Sequence, residues 1–388
     1  MEEIYKAMND SKTDIIVSPL SIGQMYYPSD EELADIVNTI YANRYYTNHG
    51  PLAIEFEKTL SSYLGAKHVV ASTNATLGLM MTLIGLGASG SVIVPSFCAA
   101  GVVEAVVWSG LTPVFCDVDE NTGLISVDTI TRVLRDDTCT IIAVSLWGNI
   151  CGINEISLFA KKTGMEVIHF AVDSFGNSVN GKKVGGDGVT TVFSFDSSKI
   201  LSCYRGGCVV TNDDMLASKI RNIRSSYGAG SFVNVPVTAN GRFSEFQAAV
   251  GLWSLNNLEK HRLHNKRIYE IYTKLLVHLD GITVSKIDDS INSNYQYFVV
   301  TIDSKRYGLT GNDIQIYLDN EGILINPDCC LPLRRSNVFT KFHDSLDLHG
   351  AEVLHEKCLQ LPIGSQITHN VANKIGTLVK DLKTRAEL

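Results

Sequence analysis

The sequence predicts an α/β protein, with a mainly parallel central sheet covered by helices on both faces and a smaller α+β domain after it. Three observations lead there. Short β-branched runs alternate with helical stretches through the first half of the chain, which is the pattern of strand-helix repeats. Near Gly241 that alternation gives way to an extended helical periodicity. The 388 residues, 45% hydrophobic and 19% charged, suffice for one large core and a second, smaller one.

Seven segments read as buried strands: "HVVAST" (His68 to Thr73), "SVIVPS" (Ser91 to Ser96), "TPVFCDV" (Thr112 to Val118), "TIIAVSLW" (Thr140 to Trp147), "EVIHFAV" (Glu166 to Val172), "TTVFSF" (Thr190 to Phe195) and "GGCVVTN" (Gly206 to Asn212). Between them lie stretches such as "LGLMMTLIGLGASG" and "ISLFAKKTG", with helical spacing and glycine stops. A sheet of this kind takes its ligands at the carboxyl ends of its strands. "SEFQAAVGLWSLNNLEKHRLHNKRIYEIYTKLL" (Ser244 to Leu276) predicts one long helix. Strands such as "NYQYFVVTID" and a final helix near "ITHNVANKIGTLVKDL" follow it. The expected division is a large domain over residues 1–250, including the N-terminal segment, and a small one over 251–388.

Composition narrows the function. With 41 acidic and 33 basic residues the formal net charge is −8, so nucleic acid and anionic membranes are not expected partners, and any phosphate must be bound locally. The nine cysteines are odd in number and lack metal-ligand spacing, which suits reduced thiols rather than a disulfide framework. A charged start, "MEEIYKAMNDSKTD", and the lack of any membrane-length apolar run read as cytoplasmic. No metal is expected. His261 and His264 in "HRLHNKR" read as structural positions on an exposed, charged helix, and Cys329-Cys330 are too close for a zinc site and read as a buried or substrate-facing loop.

The chemistry centres on "VFSFDSSKILSCYRGGCVV" (Val192 to Val210), which sets Lys199 between a Ser-Phe pair and a Gly-Gly pair at the mouth of an apolar strand. A lysine attacks carbonyls only as the neutral amine, so such a residue is usually partly buried at a strand end; the bland alternative is a solvated loop charge. Upstream, "ASTNATLGLMMTL" runs from a strand through Ser72, Thr73, Asn74 and Ala75 into a helix. Small polar residues at a helix N-terminus leave amides facing an anion, though they also cap helices for structural reasons alone.

These segments resemble the DegT-type aminotransferases over nearly the whole chain. "NRYYTNHGPLAIEFEKTLSSYLGAKHVVAST" is similar to the family's opening, "VIVPSFCAAGVVEAVVWSGLTPVFCDVDENTG" to its next strand-helix-strand unit, and "SFDSSKILSCYRGGCVVTND" to its lysine segment; "RNIRSSYGAG", "NGRFSEFQAAVGLWSLNNLEK" and "CLQLPIG" extend the likeness. The resemblance implies a fold type I architecture, pyridoxal 5'-phosphate (PLP) as cofactor, a nucleotide-linked keto sugar as acceptor, glutamate as amino donor and a homodimer with shared sites. Lys199 would be the Schiff-base lysine and proton carrier. Ser194 and the Thr73-Asn74-Ala75 turn would bind the cofactor phosphate, joined by Asn240 from the neighbouring subunit.

The chain departs from the family pattern at three positions. Glycine spacing through Gly185, Gly181 and Gly176 puts Phe170 where the family has the aspartate that pairs with the pyridine nitrogen, and puts Asp173 near the cofactor's phenolic oxygen. A three-residue deletion would instead make Asp173 the anchor. Ala99, four after Pro95, takes the place of an aromatic that stacks on the ring, with Phe97 a substitute only if the loop differs; Arg205 stands where a glutamate usually precedes the glycine pair. A phenylalanine cannot stabilise a protonated pyridine, and a lost stacking contact costs about 1 kcal/mol. The resemblance and these departures from it imply two functions: an active sugar aminotransferase, or a degenerate or repurposed homologue with weak or no transamination, for which one role is partner of an active paralogue.

Overall fold

The computed structural model describes residues 20–225, 231–323, 331–332, 339, 342 and 348–386. The seven sequence runs become β1 (His68–Ser72), β2 (Ser91–Pro95), β3 (Thr112–Cys116), β4 (Thr138–Val144), β5 (Glu166–Phe170), β6 (Thr190–Ser194) and β7 (Gly207–Thr211). They form one sheet in the order β1-β7-β6-β5-β4-β2-β3. The pairs β6-β5, β5-β4, β4-β2 and β2-β3 are parallel. Only β7 runs against its neighbours β1 and β6.

The strands lack polar alternation because both faces are covered. Val70, Val92, Val94, Ile168, Val192 and Val209 face one cluster, packed by α3 (Ala75–Leu86), α4 (Ala100–Trp108) and α7 (Asp214–Arg224). The residues between them face the opposite way. Ile93, Val114 and Ile141 meet α5 (Val127–Val133) and α6 (Ile153–Thr163), while Val69, Phe193 and Val210 meet α2 (Pro51–Leu64) and α8 (Glu245–Asn256). Ahead of these, α1 (Asp30–Asn43) opens with a capping box between Ser29 and Glu32.

The expected single helix over Ser244 to Leu276 is broken. It forms α8 and then α9 (Leu258–Leu276), with Asn257 between them at φ −97°, ψ 2°. The amide and side-chain Nδ2 of Asn257 both bond the Trp253 carbonyl, at 3.1 and 3.0 Å, a local competition with helical bonding that asparagine favours. His261 is also not exposed: it is buried and stacks on Tyr26 with ring centroids 3.9 Å apart. It sits on the stripe of Leu258, Asn265, Ile268 and Tyr272 that α9 turns inward. His264 lies 3.1 Å from the carbonyl oxygens of Gly364 and Ile367.

A second, antiparallel sheet holds β8 (Ile282–Val284), β9 (Phe298–Ile302) and β10 (Cys358–Leu361), in the order β8-β9-β10. Phe298, Val300 and Ile302 join a separate core with residues of α9 and of the last helix (His369–Ala386), to which Leu20 and Ile22 also belong. Val299 points the other way, into the cluster that holds Ile93, Trp147 and Leu354. Cys329 and Cys330 lie outside the described residues. Among the described residues, no helix is long and apolar enough to cross a membrane.

One buried ionisable group ties the fold to pH. His169 on β5 is fully enclosed, its Nε2 2.7 Å from Ser145 Oγ, and burial pushes its imidazole down to about 4 from the usual 6.5. The unfolded chain therefore binds more protons between those values. Stability is fully present above about pH 6.5 and falls as pH drops toward 4, by a total of about 3 kcal/mol from this residue. The expected result in denaturant titrations is a flatter pH slope for His169→Gln than for the parent; parallel slopes would refute it.

Candidate active site

Strands β4, β5 and β6 run parallel, so their carboxyl ends open on one edge of the sheet. Three loops leave there: Ser145–Trp147 after β4, Ala171–Asn177 after β5, and Phe195–Lys199 after β6. They bring together Trp147, Asp173 and Lys199. The Lys199 amine lies 2.7 Å from Asp173 Oδ1, and donates also to the Tyr297 hydroxyl at 2.9 Å. Tyr297 in turn donates to Asp173 Oδ1 at 2.8 Å, and the Trp147 amide donates to Asp173 Oδ2 at 3.0 Å.

Lys199 is thus not a solvated loop charge, since its side chain is 13% exposed and that of Asp173 7%. Burial alone pulls the amine's pKa down, but the Asp173 carboxylate and the Tyr297 hydroxyl outweigh it and hold the amine above the usual lysine range. In this state Lys199 is an ammonium without a free electron pair. The carboxylate oxygen Asp173 Oδ1 lies within hydrogen-bond distance of it.

The N-terminus of α3 forms the second part. Asn74, extended at φ −165°, caps the helix by accepting from the Leu77 amide at 2.8 Å. The first-turn amides of a helix have no partner within it, which leaves those of Ala75 and Thr76 directed out of the helix end. Backbone crowding fixes this turn: a Cβ on Gly207 would meet the Ala75 nitrogen and the Phe193 oxygen, each at 2.7 Å. Behind it, the buried Arg224 guanidinium bonds Glu57 Oε1 at 2.5 Å, the Ala71 carbonyl at 2.7 Å and His49 Nδ1 at 3.1 Å. Thr73 donates its amide to the Gly241 carbonyl at 3.2 Å, which puts the exposed Asn240 one residue from this turn. Ser194 ends β6, half-buried, with Oγ accepting from the Asp196 amide at 3.3 Å.

The three altered positions are placed as follows. Phe170 closes β5, 4% exposed, in one apolar cluster with Ala75, Cys98, Val102 and Val192. Ala99 precedes α4 without a side-chain cap, and Phe97 is buried edge-on against Trp147 with centroids 5.7 Å apart. Arg205 is exposed, 3.9 Å from Asp196. Sequence reasoning missed Tyr297 and its neighbours Asn294 and Gln296. Their signal is the interleaving of polar residues in "NYQYFVV" at the mouth of a buried strand.

This donor set suits PLP at two of its ends. A buried primary amine beside a carboxylate suits the aldehyde, and a helix N-terminus with a serine hydroxyl suits the phosphate. At Phe170 the side chain has nothing to offer a pyridine nitrogen.

The dTDP-4-amino-4,6-dideoxy-D-glucose transaminase of Shigella dysenteriae is 26% identical over 366 residues, spanning 94% of this chain and 99% of the relative. The GDP-perosamine synthase of Caulobacter vibrioides is 32% identical over 260 residues, 65% of this chain and 69% of the relative. The crystal structure of DesI in the presence of its TDP-sugar product superposes with a TM-score of 0.88 at 30% identity, covering 95% of this chain and 94% of that one. The fold is that of the PLP-dependent transferases of fold type I. With a family profile that matches residues 28–380, the chain belongs to the DegT/DnrJ/EryC1/StrS aminotransferase family.

Proposed function

We propose that this family member transfers an amino group, with glutamate as donor, to a nucleotide-linked keto sugar, in the biosynthesis of an amino sugar for a surface polysaccharide or a glycosylated metabolite. The observation that carries the reading is Lys199, enclosed at the carboxyl ends of the parallel strands and 2.7 Å from a carboxylate. Relatives named for dTDP- and GDP-linked sugars support the acceptor class.

PLP bound there would supply an aldehyde for the amino group and a ring that delocalises the electron pair of a broken C–H bond. Lys199 would hold it covalently and move protons at its Nζ. The amides at the start of α3, with Thr73, Asn74, Ala75 and Ser194, would bind the phosphate. Asn240 of a second copy would complete the phosphate site, so the working unit is a homodimer, placed in the cytoplasm. Asp173 accepts the Lys199 proton and orients the amine. The test is incubation with PLP, glutamate and dTDP- or GDP-linked 4-keto sugars: mass gain of an aminated sugar is expected, and its absence across both nucleotides would overturn the reading.

One observation favours the second reading, a homologue with weak or no transamination: Phe170 offers no carboxylate in its apolar cluster. A charge-assisted hydrogen bond contributes about 1.5–3 kcal/mol, so Phe170→Asp is expected to tighten PLP binding or speed the glutamate half-reaction about ten- to a hundredfold. If the parent already reacts fast and Asp173→Asn abolishes it, Asp173 is the anchor instead.

A further inference from the structure

The groups around Lys199 come from segments attached to both sheets. The segment Ser293–Tyr297 leads into β9 of the second sheet, yet its side chains grip both loops of the candidate active site. Asn294 Nδ2 donates to the carbonyls of Asp173 and Phe175 at 3.1 and 3.0 Å, and Gln296 Oε1 accepts from the Ile200 amide, next to the lysine, at 2.8 Å. The strand's period of two then sends Phe298 and Val300 into the small core, and Tyr297 and Val299 toward the large one. Tyr297 therefore reaches Lys199 on a backbone pinned on either side of it.

Resting on the reading that Lys199 carries the chemistry, we infer that Tyr297 is a catalytic residue acting with Asp173 on the Lys199 proton, because its hydroxyl accepts from Nζ at 2.9 Å while donating to Asp173 Oδ1 at 2.8 Å. The three groups form a closed ring with the direct Lys199–Asp173 bond of 2.7 Å. A proton can leave the ammonium straight to the carboxylate. It can also leave through the phenol, which takes one proton from Nζ as it passes its own to Asp173. Both routes end with a neutral amine, a neutral carboxylic acid and an intact phenol, so no outside acid or base is needed. The phenol gives Nζ and the carboxylate a second connection.

The ionisable groups in bonding contact with Lys199 are Asp173 and Tyr297. Asp196, on the same loop, faces Arg205 at 3.9 Å. His261 of α9, which bonds the backbone of Ile200, is held neutral by burial, at about 4. None of these others supplies charge that would mask the effect of the phenol.

The experiment is competitive acetylation of the cofactor-free full-length chain with acetic anhydride across pH, with peptide mapping of Lys199; it needs no PLP, so it is independent of whether the chain transaminates. Removing a bond that favours the ammonium should lower the pH at which Lys199 becomes reactive, by about one pH unit in Tyr297→Phe and more in Asp173→Asn. Tyr297→Leu should match Tyr297→Phe, because the hydroxyl and not the ring carries the effect. Circular dichroism melts confirm folding of each variant. A Tyr297→Phe profile superimposable on the parent's would overturn the proposal. So would a shift seen only with leucine, which would make Tyr297 a packing residue, or an Asp173→Asn profile that does not move.

Discussion

Lys199→Ala is expected to lower amino transfer by roughly 10²–10⁴-fold, the range set by loss of a positioned proton-transfer group, and to remove covalent PLP altogether. In the parent protein, borohydride reduction and peptide mapping should place the cofactor on the peptide that carries Lys199. The variant should still fold. Asp173 keeps the Trp147 amide at 3.0 Å and the Tyr297 hydroxyl at 2.8 Å as donors. Covalent PLP on any other lysine, or activity within tenfold of the parent, would show that the chemistry lies elsewhere.

Glu57→Ala should produce the largest loss of stability, about 3–5 kcal/mol in denaturant titrations, because it strips the countercharge from an Arg224 side chain that is only 2% exposed. The effect should extend to the site. Glu57 Oε1 also accepts from the Ala71 amide at 2.9 Å, and Arg224 bonds the Ala71 carbonyl, two residues before the phosphate turn at Thr73. Phosphate-end affinity for PLP should therefore weaken with it. The double variant Glu57→Ala with Arg224→Met should regain part of the stability, since it leaves no buried charge unpaired. A single variant within 1 kcal/mol of the parent would refute this account of the pair.

Much of the fold was legible because the physics that forms it is local. Each strand of the main sheet is a β-branched run bounded by turn residues, and burial on both faces makes the run continuous rather than alternating. The break at Asn257 was legible only in part, because it depends on a side chain competing for one carbonyl inside an otherwise uninterrupted helical pattern. His261 was open to a better reading: its spacing to Leu258, Asn265 and Ile268 already sets it on the inward stripe. For the site, the position of Lys199 and the helix cap at Asn74 could be read directly. Its bond to Tyr297 could not, since it joins residues 98 positions apart, one on the loop after β6 of the main sheet and the other leading into β9 of the second, and no local pattern encodes such a meeting.

Absorbance during titration of the purified full-length protein with PLP, followed by glutamate, is the most direct test of whether Lys199 is the cofactor lysine of a working aminotransferase. A saturable visible band is expected, absent in Lys199→Ala, that declines on adding glutamate as the aminated cofactor forms. PLP that stays spectroscopically free at saturating concentration, or an identical band in Lys199→Ala, would contradict the assignment.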